Sequence, residues 1–127
     1  MLKYAMKPNP KNSVKVYGSN LRISRKNSLA ICRAISGRPL EKGKELLERM
    51  LEQKQRLKGK YYTNATSEIL DLLNAAEKNA EFKGLEAKDM VVFASTHKGF
   101  TFYTPRRFRL RRRKKKVCNV QIVLLQK

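Results

Sequence analysis

The chain has 127 residues, thirty of them Lys or Arg and ten Asp or Glu, for a formal net charge of +20. Apolar residues make up 41%, enough for one modest core but not two, and no run reaches the ~18 apolar residues that span a bilayer, which excludes a membrane-spanning helix. Met1 to Tyr17 lacks the apolar stretch of a secretory signal, so export by that route is not expected, and Cys32 and Cys118 stand too far apart in the chain to suggest a zinc cluster or a disulfide framework.

The charge is unevenly placed. Residues 1–40 hold nine cations and no acid, residues 41–89 hold ten of each sign, and residues 90–127 hold eleven cations and no acid. Unopposed cations in such excess repel one another unless a dense polyanion neutralises them, and nucleic acid is the usual one.

Taken in chain order, the first twenty residues carry Pro8, Pro10, Gly18 and repeated Asn and Ser, which predicts an extended arm. Leu21 to Ser24 reads as a short strand. Asn27 or Ser28 can cap a first helix carrying Leu29, Ile31, Ala34 and Ile35, with Gly37 closing it in the left-handed conformation. Pro39 suits the start of a second helix, whose Leu40, Leu46, Leu47, Met50 and Leu51 recur at helical spacing and which should run to about Gln55. Lys58, Gly59 and Lys60 break the pattern. Asn64 or Thr66 restarts it with Ile69, Leu70, Leu72, Leu73, Ala76 and Ala80, and Gly84 ends this third helix.

From Met90 the period changes to that of strands. Met90 to Tyr103 and Val117 to Leu125 are rich in β-branched and aromatic residues and flank a segment, Thr104 to Lys116, in which nine of thirteen residues are Arg or Lys. This predicts a long antiparallel hairpin with a basic tip. Fourteen extended residues would reach roughly 45 Å at ~3.3 Å each, more than a domain of this size can cover, so the far half should project. The fold class is therefore α+β: three helices on a short antiparallel sheet, with a protruding β-hairpin and an extended basic N-terminal arm. A single domain is expected over 1–127, divided into arm and first strand (1–26), helical body (27–89) and hairpin (90–127, basic tip about 104–116).

Catalysis finds little support. His97 is the only histidine, and no nucleophile or orienting acid accompanies it. Glu41, Glu45, Glu48 and Glu52 share a helix with Lys42, Lys44 and Arg49, a solvated face rather than a metal site, and no Gly-rich phosphate loop follows a strand. No catalytic residue, metal or cofactor is expected. Arg113 to Lys116 also fits the crude form of a nuclear-import signal, as any polyanion binder of this charge would. Phe100 and Phe102 are read as one face of the hairpin packing on itself or on the helices, while Phe108 stands within the basic tip where a base could stack. Guanidinium forks onto phosphate oxygens, so a tip with six Arg suits folded RNA.

Three stretches carry a family resemblance: Gly18-Ser19-Asn20-Leu21-Arg22-Ile23-Ser24-Arg25-Lys26-Asn27, then Glu77-Lys78-Asn79-Ala80-Glu81-Phe82-Lys83-Gly84-Leu85, then Thr104-Pro105-Arg106 leading into the basic hairpin. In this order they resemble the universal large-subunit ribosomal protein family called L-twenty-two in bacteria and L-seventeen in eukaryotes, in its archaeal and eukaryotic form. The resemblance implies a non-enzymatic structural constituent of the large subunit that binds ribosomal RNA. Its globular domain would sit near the exit of the nascent-peptide tunnel, with the hairpin tip at the tunnel wall. Carried over by position, the RNA-binding candidates are Lys11, Asn12, Lys15, Ser19, Asn20, Arg22, Arg25, Lys26, Lys98, Arg106, Arg107, Arg109, Arg111, Arg112, Arg113, Lys114, Lys115 and Lys116. The tunnel-lining candidates are Arg106, Arg107, Phe108, Arg109 and Leu110.

The implied partners are large-subunit ribosomal RNA, neighbouring ribosomal proteins and the nascent polypeptide, with no membrane and no small-molecule substrate. The implied location is the cytoplasmic ribosome, with nuclear and nucleolar passage during assembly in a eukaryote. Three departures mark a shortened version. Only Arg56 to Thr63 separates the second and third helical patterns, where eukaryotic members carry a Gly- and aromatic-rich insertion. The tip reads Arg107, Phe108, Arg109, Leu110 in place of Ala, a Lys or His, Gly and Arg. The sequence ends at Lys127 without the long charged tail of many relatives. Two rival readings stand beside the resemblance: a stand-alone architectural DNA-binding protein with a basic β-arm, normally a dimer, and a small enzyme such as a nuclease relying on His97.

Overall fold

The computed structural model describes residues 4–106, 109 and 111–127. The element order is β1 (Ser13–Leu21), α1 (Arg25–Ile35), α2 (Leu40–Leu51), α3 (Thr63–Phe82), a 3-10 turn at Ala87–Asp89, β2 (Met90–Tyr103) and β3 (Lys114–Gln126). The three strands form one antiparallel sheet in the order β1-β3-β2, so the last strand is central. This is the α+β arrangement expected, with three helices on a small sheet.

The core lies between the helices and one sheet face. Alternation puts Val14 opposite Leu124 and Val92 opposite Leu124 from the other side, and these buried residues meet Ile31, Ile35, Leu47, Met50, Ile69 and Leu73 from the helices. Burying each such side chain contributes about 1.5–3 kcal/mol, which offsets the entropy of ordering the segments that carry it. The other face is partly covered by the N-terminal segment: the Ala5 N–H donates to Gln121 Oε1 at 3.3 Å, and Tyr4 sits edge-on to Tyr17. The edge of β2 is partly covered by the α1–α2 loop, where Gly37 N–H donates to Val92 O at 2.7 Å and Val92 N–H to Arg38 O at 2.9 Å.

Several boundaries differ from expectation. The first strand is Ser13–Leu21, not Leu21 to Ser24, so most of what reads as a free arm is an edge strand paired with β3. Helix α1 starts at Arg25, ahead of Asn27, and α2 stops at Leu51 because Glu52 to Gln55 are exposed and have no core to face. α3 begins at Thr63, one residue before Asn64, behind a left-handed Tyr62. β3 begins at Lys114, three residues before Val117, because Lys114, Lys115 and Lys116 pair with Tyr103, Phe102 and Thr101. Gly37 (φ 81°) and Gly84 (φ 72°) end α1 and α3 as predicted.

Between α2 and α3 the chain turns tightly at Lys58 (φ 50°) and Gly59 (φ 76°), closed by reciprocal backbone bonds of 2.9 and 3.0 Å between Leu57 and Lys60. Positive φ at both central residues is the type I′ geometry that joins short hairpins. A compact turn thus stands where eukaryotic relatives were expected to carry an insertion.

Along the hairpin, burial falls from root to tip. Met90 to Val92 are buried, while Phe102, Tyr103 and Lys114 to Lys116 are exposed. The far half therefore leaves the core and continues as a ladder, which Thr104 N–H extends by donating to Arg113 O at 3.0 Å.

Candidate nucleic-acid interface

Two irregularities in the sheet shape the site. In β1 the pairing moves from Gly18 opposite Val120 to Leu21 opposite Cys118, and in β2 it moves from Lys98 opposite Cys118 to Thr101 opposite Lys116. Each inserts an extra residue into an edge strand, a bulge that bends the strand and re-aims the residues beyond it. Asn119 of the central strand ties the two together. Its Oδ1 accepts the Asn20 N–H at 2.8 Å, and its Nδ2 lies 3.3 Å from His97 Nε2. Asn20 itself is left-handed (φ 53°), a conformation its short polar side chain tolerates.

Beyond the bulges, the end of β1, the start of α1 and the far half of the hairpin line an open groove of about 830 Å³, formed by Arg22, Ile23, Ser24, Arg25, Lys26, Leu29, Lys98, Phe102, Lys115, Lys116 and Val117. Six of these eleven residues are cations, and among the described residues no acid lines the groove. Its wall includes the first turn of α1, whose leading N–H groups have no carbonyl ahead of them. Ser24 supplies no side-chain cap and the first turn carries no acid. Positive backbone, Arg25 and Lys26 thus converge on one spot, a combination unfavourable to the free helix by a few tenths of a kcal/mol and favourable to an anion.

Of the expected binding residues, the structure therefore brings together Arg22, Arg25, Lys26, Lys98, Lys115 and Lys116. Ser19 and Asn20 are exposed at the β1 bulge beside them. Lys11, Asn12 and Lys15 lie at the other end of β1, where Ser13 pairs with Leu125. Lys15 Nζ stands 5.3 Å over the Tyr4 ring, and Asn12 O accepts from Gln126 N–H. Arg106, Arg109, Arg111, Arg112, Arg113 and Lys114 are exposed on or beside the hairpin loop, with Arg112 left-handed (φ 60°). Arg107, Phe108 and Leu110, expected in the tip, lie outside the described residues.

The acids sit elsewhere. Glu77 bonds Lys44 at 2.6 Å between α3 and α2, and Glu45 pairs with Arg49 on α2, so the helical body neutralises itself. Among the described residues, no group of His, Cys, Asp and Glu is placed to hold a metal ion, and no helix is long and apolar enough to cross a membrane. His97 is exposed, held between Asn119 and the Tyr17 ring. Among the described residues it meets Asn119 and Tyr17, contacts that order the bulge region.

Residues 16–125 match the ribosomal protein L22p/L17e family. The chain belongs to that family. The large ribosomal subunit protein uL22 of Methanococcus aeolicus is 35% identical over 146 aligned positions, covering 97% of this chain and 95% of the relative. The uL22 protein of Methanocaldococcus jannaschii is 30% identical with 97% and 94% covered, and that of Archaeoglobus fulgidus 33% identical with 83% of each covered. An alignment of 146 positions exceeds the 127 residues of this chain, so the relatives carry residues with no counterpart here. That agrees with a shortened member. L22p/L17e is a structural and not an enzymatic family, which removes the small-enzyme reading.

Sequence reasoning found the cations but not the groove. The roles of Asn119, of Phe102 and of Gly99, which lies in the β2 bulge between Lys98 and Thr101, are not among the sequence expectations. Asn119 was visible as a polar residue interrupting the apolar run from Val117 to Leu125, and Gly99 as a glycine inside a strand pattern, the usual mark of a bulge.

Proposed function

We propose that this protein is a structural constituent of the large ribosomal subunit that binds ribosomal RNA through the groove beside the far half of the hairpin and through the hairpin itself. The tip residues Arg106, Arg107, Phe108, Arg109 and Leu110 would then approach the wall of the nascent-peptide tunnel. The observation that carries the reading is a groove that, among the described residues, holds six cations from three separate segments and no acid, in a chain of a ribosomal protein family. Phosphates entering it displace counterions from RNA, which supplies sequence-independent affinity. The cations on a fixed scaffold then select RNA by shape, since A-form RNA is read by its backbone and its unpaired elements.

The neighbouring partners would be other large-subunit proteins and the nascent chain, and the location the cytoplasmic ribosome. Sedimentation of lysate in low-salt gradients tests this directly. The protein should travel with large subunits and leave them as salt rises. Persistent absence from that fraction, with a symmetric dimer preferring duplex DNA over structured RNA, would instead support an architectural DNA-binding role.

A further inference from the structure

The groove beside the far half of the hairpin is not lined by charge alone. Ile23 and Val117 are buried, Leu29 is half-buried and Phe102 is 42% exposed, whereas the cations around them are exposed. The apolar residues are recessed behind the charged ones. A surface built only to hold the outside of an RNA helix gains nothing from this, because a paired duplex offers phosphates and sugars and keeps its base faces stacked inward.

We propose that the groove receives a nucleotide extruded from paired ribosomal RNA, with its base against Phe102 and the adjoining apolar surface and its phosphate held by the cations and the first turn of α1. This deepens the RNA-binding reading given above and rests on it. Three observations support it. The rings of Phe100 and Phe102 lie 6.4 Å apart at 18°, and Phe100 is 69% exposed, so two stacked aromatic rings stand open to solvent beside the groove. Bases stack on such rings without regard to their identity. The volume of the open groove, about 830 Å³, falls in the ~300–1,000 Å³ range of sites that take small molecules, room enough for one nucleotide. Finally, Arg25, Lys26 and the first turn of α1, which Ser24 does not cap with its side chain, line the same groove and can take the attached phosphate.

The test uses the full chain and two RNAs of equal nucleotide number, one fully paired and one with an unpaired 2-aminopurine in mid-stem, at physiological salt. The chain should bind the second RNA on the order of ten-fold more tightly, with quenched 2-aminopurine emission. Phe102→Ala should abolish that preference and the quenching, and Phe102→Tyr, which keeps the ring, should retain both. Phe102 is exposed on the projecting part of the hairpin, so neither change threatens the core. Equal affinity for the two RNAs, a preference that survives Phe102→Ala, or equally tight binding of polyglutamate of matched charge would overturn the proposal. Absence of any salt-dependent RNA binding would overturn the broader RNA-binding reading as well, so the two failures are distinguishable.

Discussion

Replacing Gly99 by Ala should loosen the hairpin at the β2 bulge. Gly99 and Phe100 together oppose the single residue Val117, since Lys98 pairs with Cys118 and Thr101 with Lys116. A Cβ at Gly99 would lie 3.0 Å from Val117 Cγ2, 3.0 Å from Val117 O and 3.2 Å from Asn119 Oδ1. Ordinary contacts between non-bonded heavy atoms are about 3.5–4.0 Å, so three atoms must each give several tenths of an ångström. One is a carbonyl of the central strand, which cannot withdraw without disturbing the sheet. Overpacking of this kind costs about 1–3 kcal/mol, against which Ala gains roughly 0.4–1 kcal/mol by restricting the unfolded chain. The net loss should be roughly 0.5–2 kcal/mol, read as a lower urea midpoint with an unchanged m-value.

Gly18→Ala is the control. Its Cβ would approach Leu21 Cδ1 and Leu72 Cδ1 even more closely, at 2.9 Å, but these are ends of flexible side chains that can rotate away. It should cost less than Gly99→Ala. A Gly99→Ala protein as stable as the parent, or a larger loss for Gly18→Ala, would refute the reasoning.

Three further outcomes can be measured. Asn119→Ala removes the acceptor of the Asn20 N–H and the partner of His97, both in exposed bonds, and should cost about 0.5–1.5 kcal/mol in urea denaturation. Replacing both Lys115 and Lys116 by Ala should weaken RNA binding across sequences and make the log–log salt slope shallower by roughly 1.5–2, which a filter-binding titration at several salt concentrations would show. Burial, with a lesser contribution from Cys118, pushes the Cys32 thiol up to about 12, against about 8.5 for an ordinary thiol. The folded chain thus keeps a proton that the unfolded chain releases. This contribution to stability is whole below about pH 8.5 and declines as pH rises through the folded value, by at most about 1.4 kcal/mol per unit. Cys32→Ala should flatten the alkaline decline in urea midpoints, and parallel declines would contradict the assignment.

The features legible in the sequence are those set by local physics. Helical spacing, the two left-handed glycines and the change to strand residues at Met90 placed three helices and both ends of β2, since each signal is read from neighbours in the chain. β1 was obscured because Pro8, Pro10, Gly18 and Asn20 are turn formers, although Val14 and Val16 alternate with Lys15 and Tyr17 in strand rhythm. What makes it a strand is a partner at the other end of the chain, Ser13 opposite Leu125. Lys114 to Lys116 escaped for the same reason: their strand conformation is imposed by Thr101 to Tyr103. The reading of Phe100 and Phe102 as packing on the hairpin itself holds only in that the two rings stack on each other. Their exposure could not be known before the bulge re-aimed the strand.

The same pairing changes what the charge of the free protein means. Sequence separates a basic first flank from a basic last one, yet the register sets Leu21 beside Cys118 and so closes Arg22, Arg25 and Lys26 with Lys98, Lys115 and Lys116 around one groove. Like charges gathered there oppose folding, and no acid among the described residues lines the groove to offset them. Exposed ion pairs such as Glu45–Arg49 lose little when screened, being worth about 1 kcal/mol at most. Added salt should therefore stabilise the free chain rather than weaken it, most steeply while the Debye length still exceeds ~10 Å, near 0.1 M and below. Urea midpoints should rise with sodium chloride, and a protein with Ala at both 115 and 116 should start higher and respond less. A midpoint that falls with salt in the parent would show that repulsion at the groove is not what opposes folding, and that its cations are already neutralised within the chain.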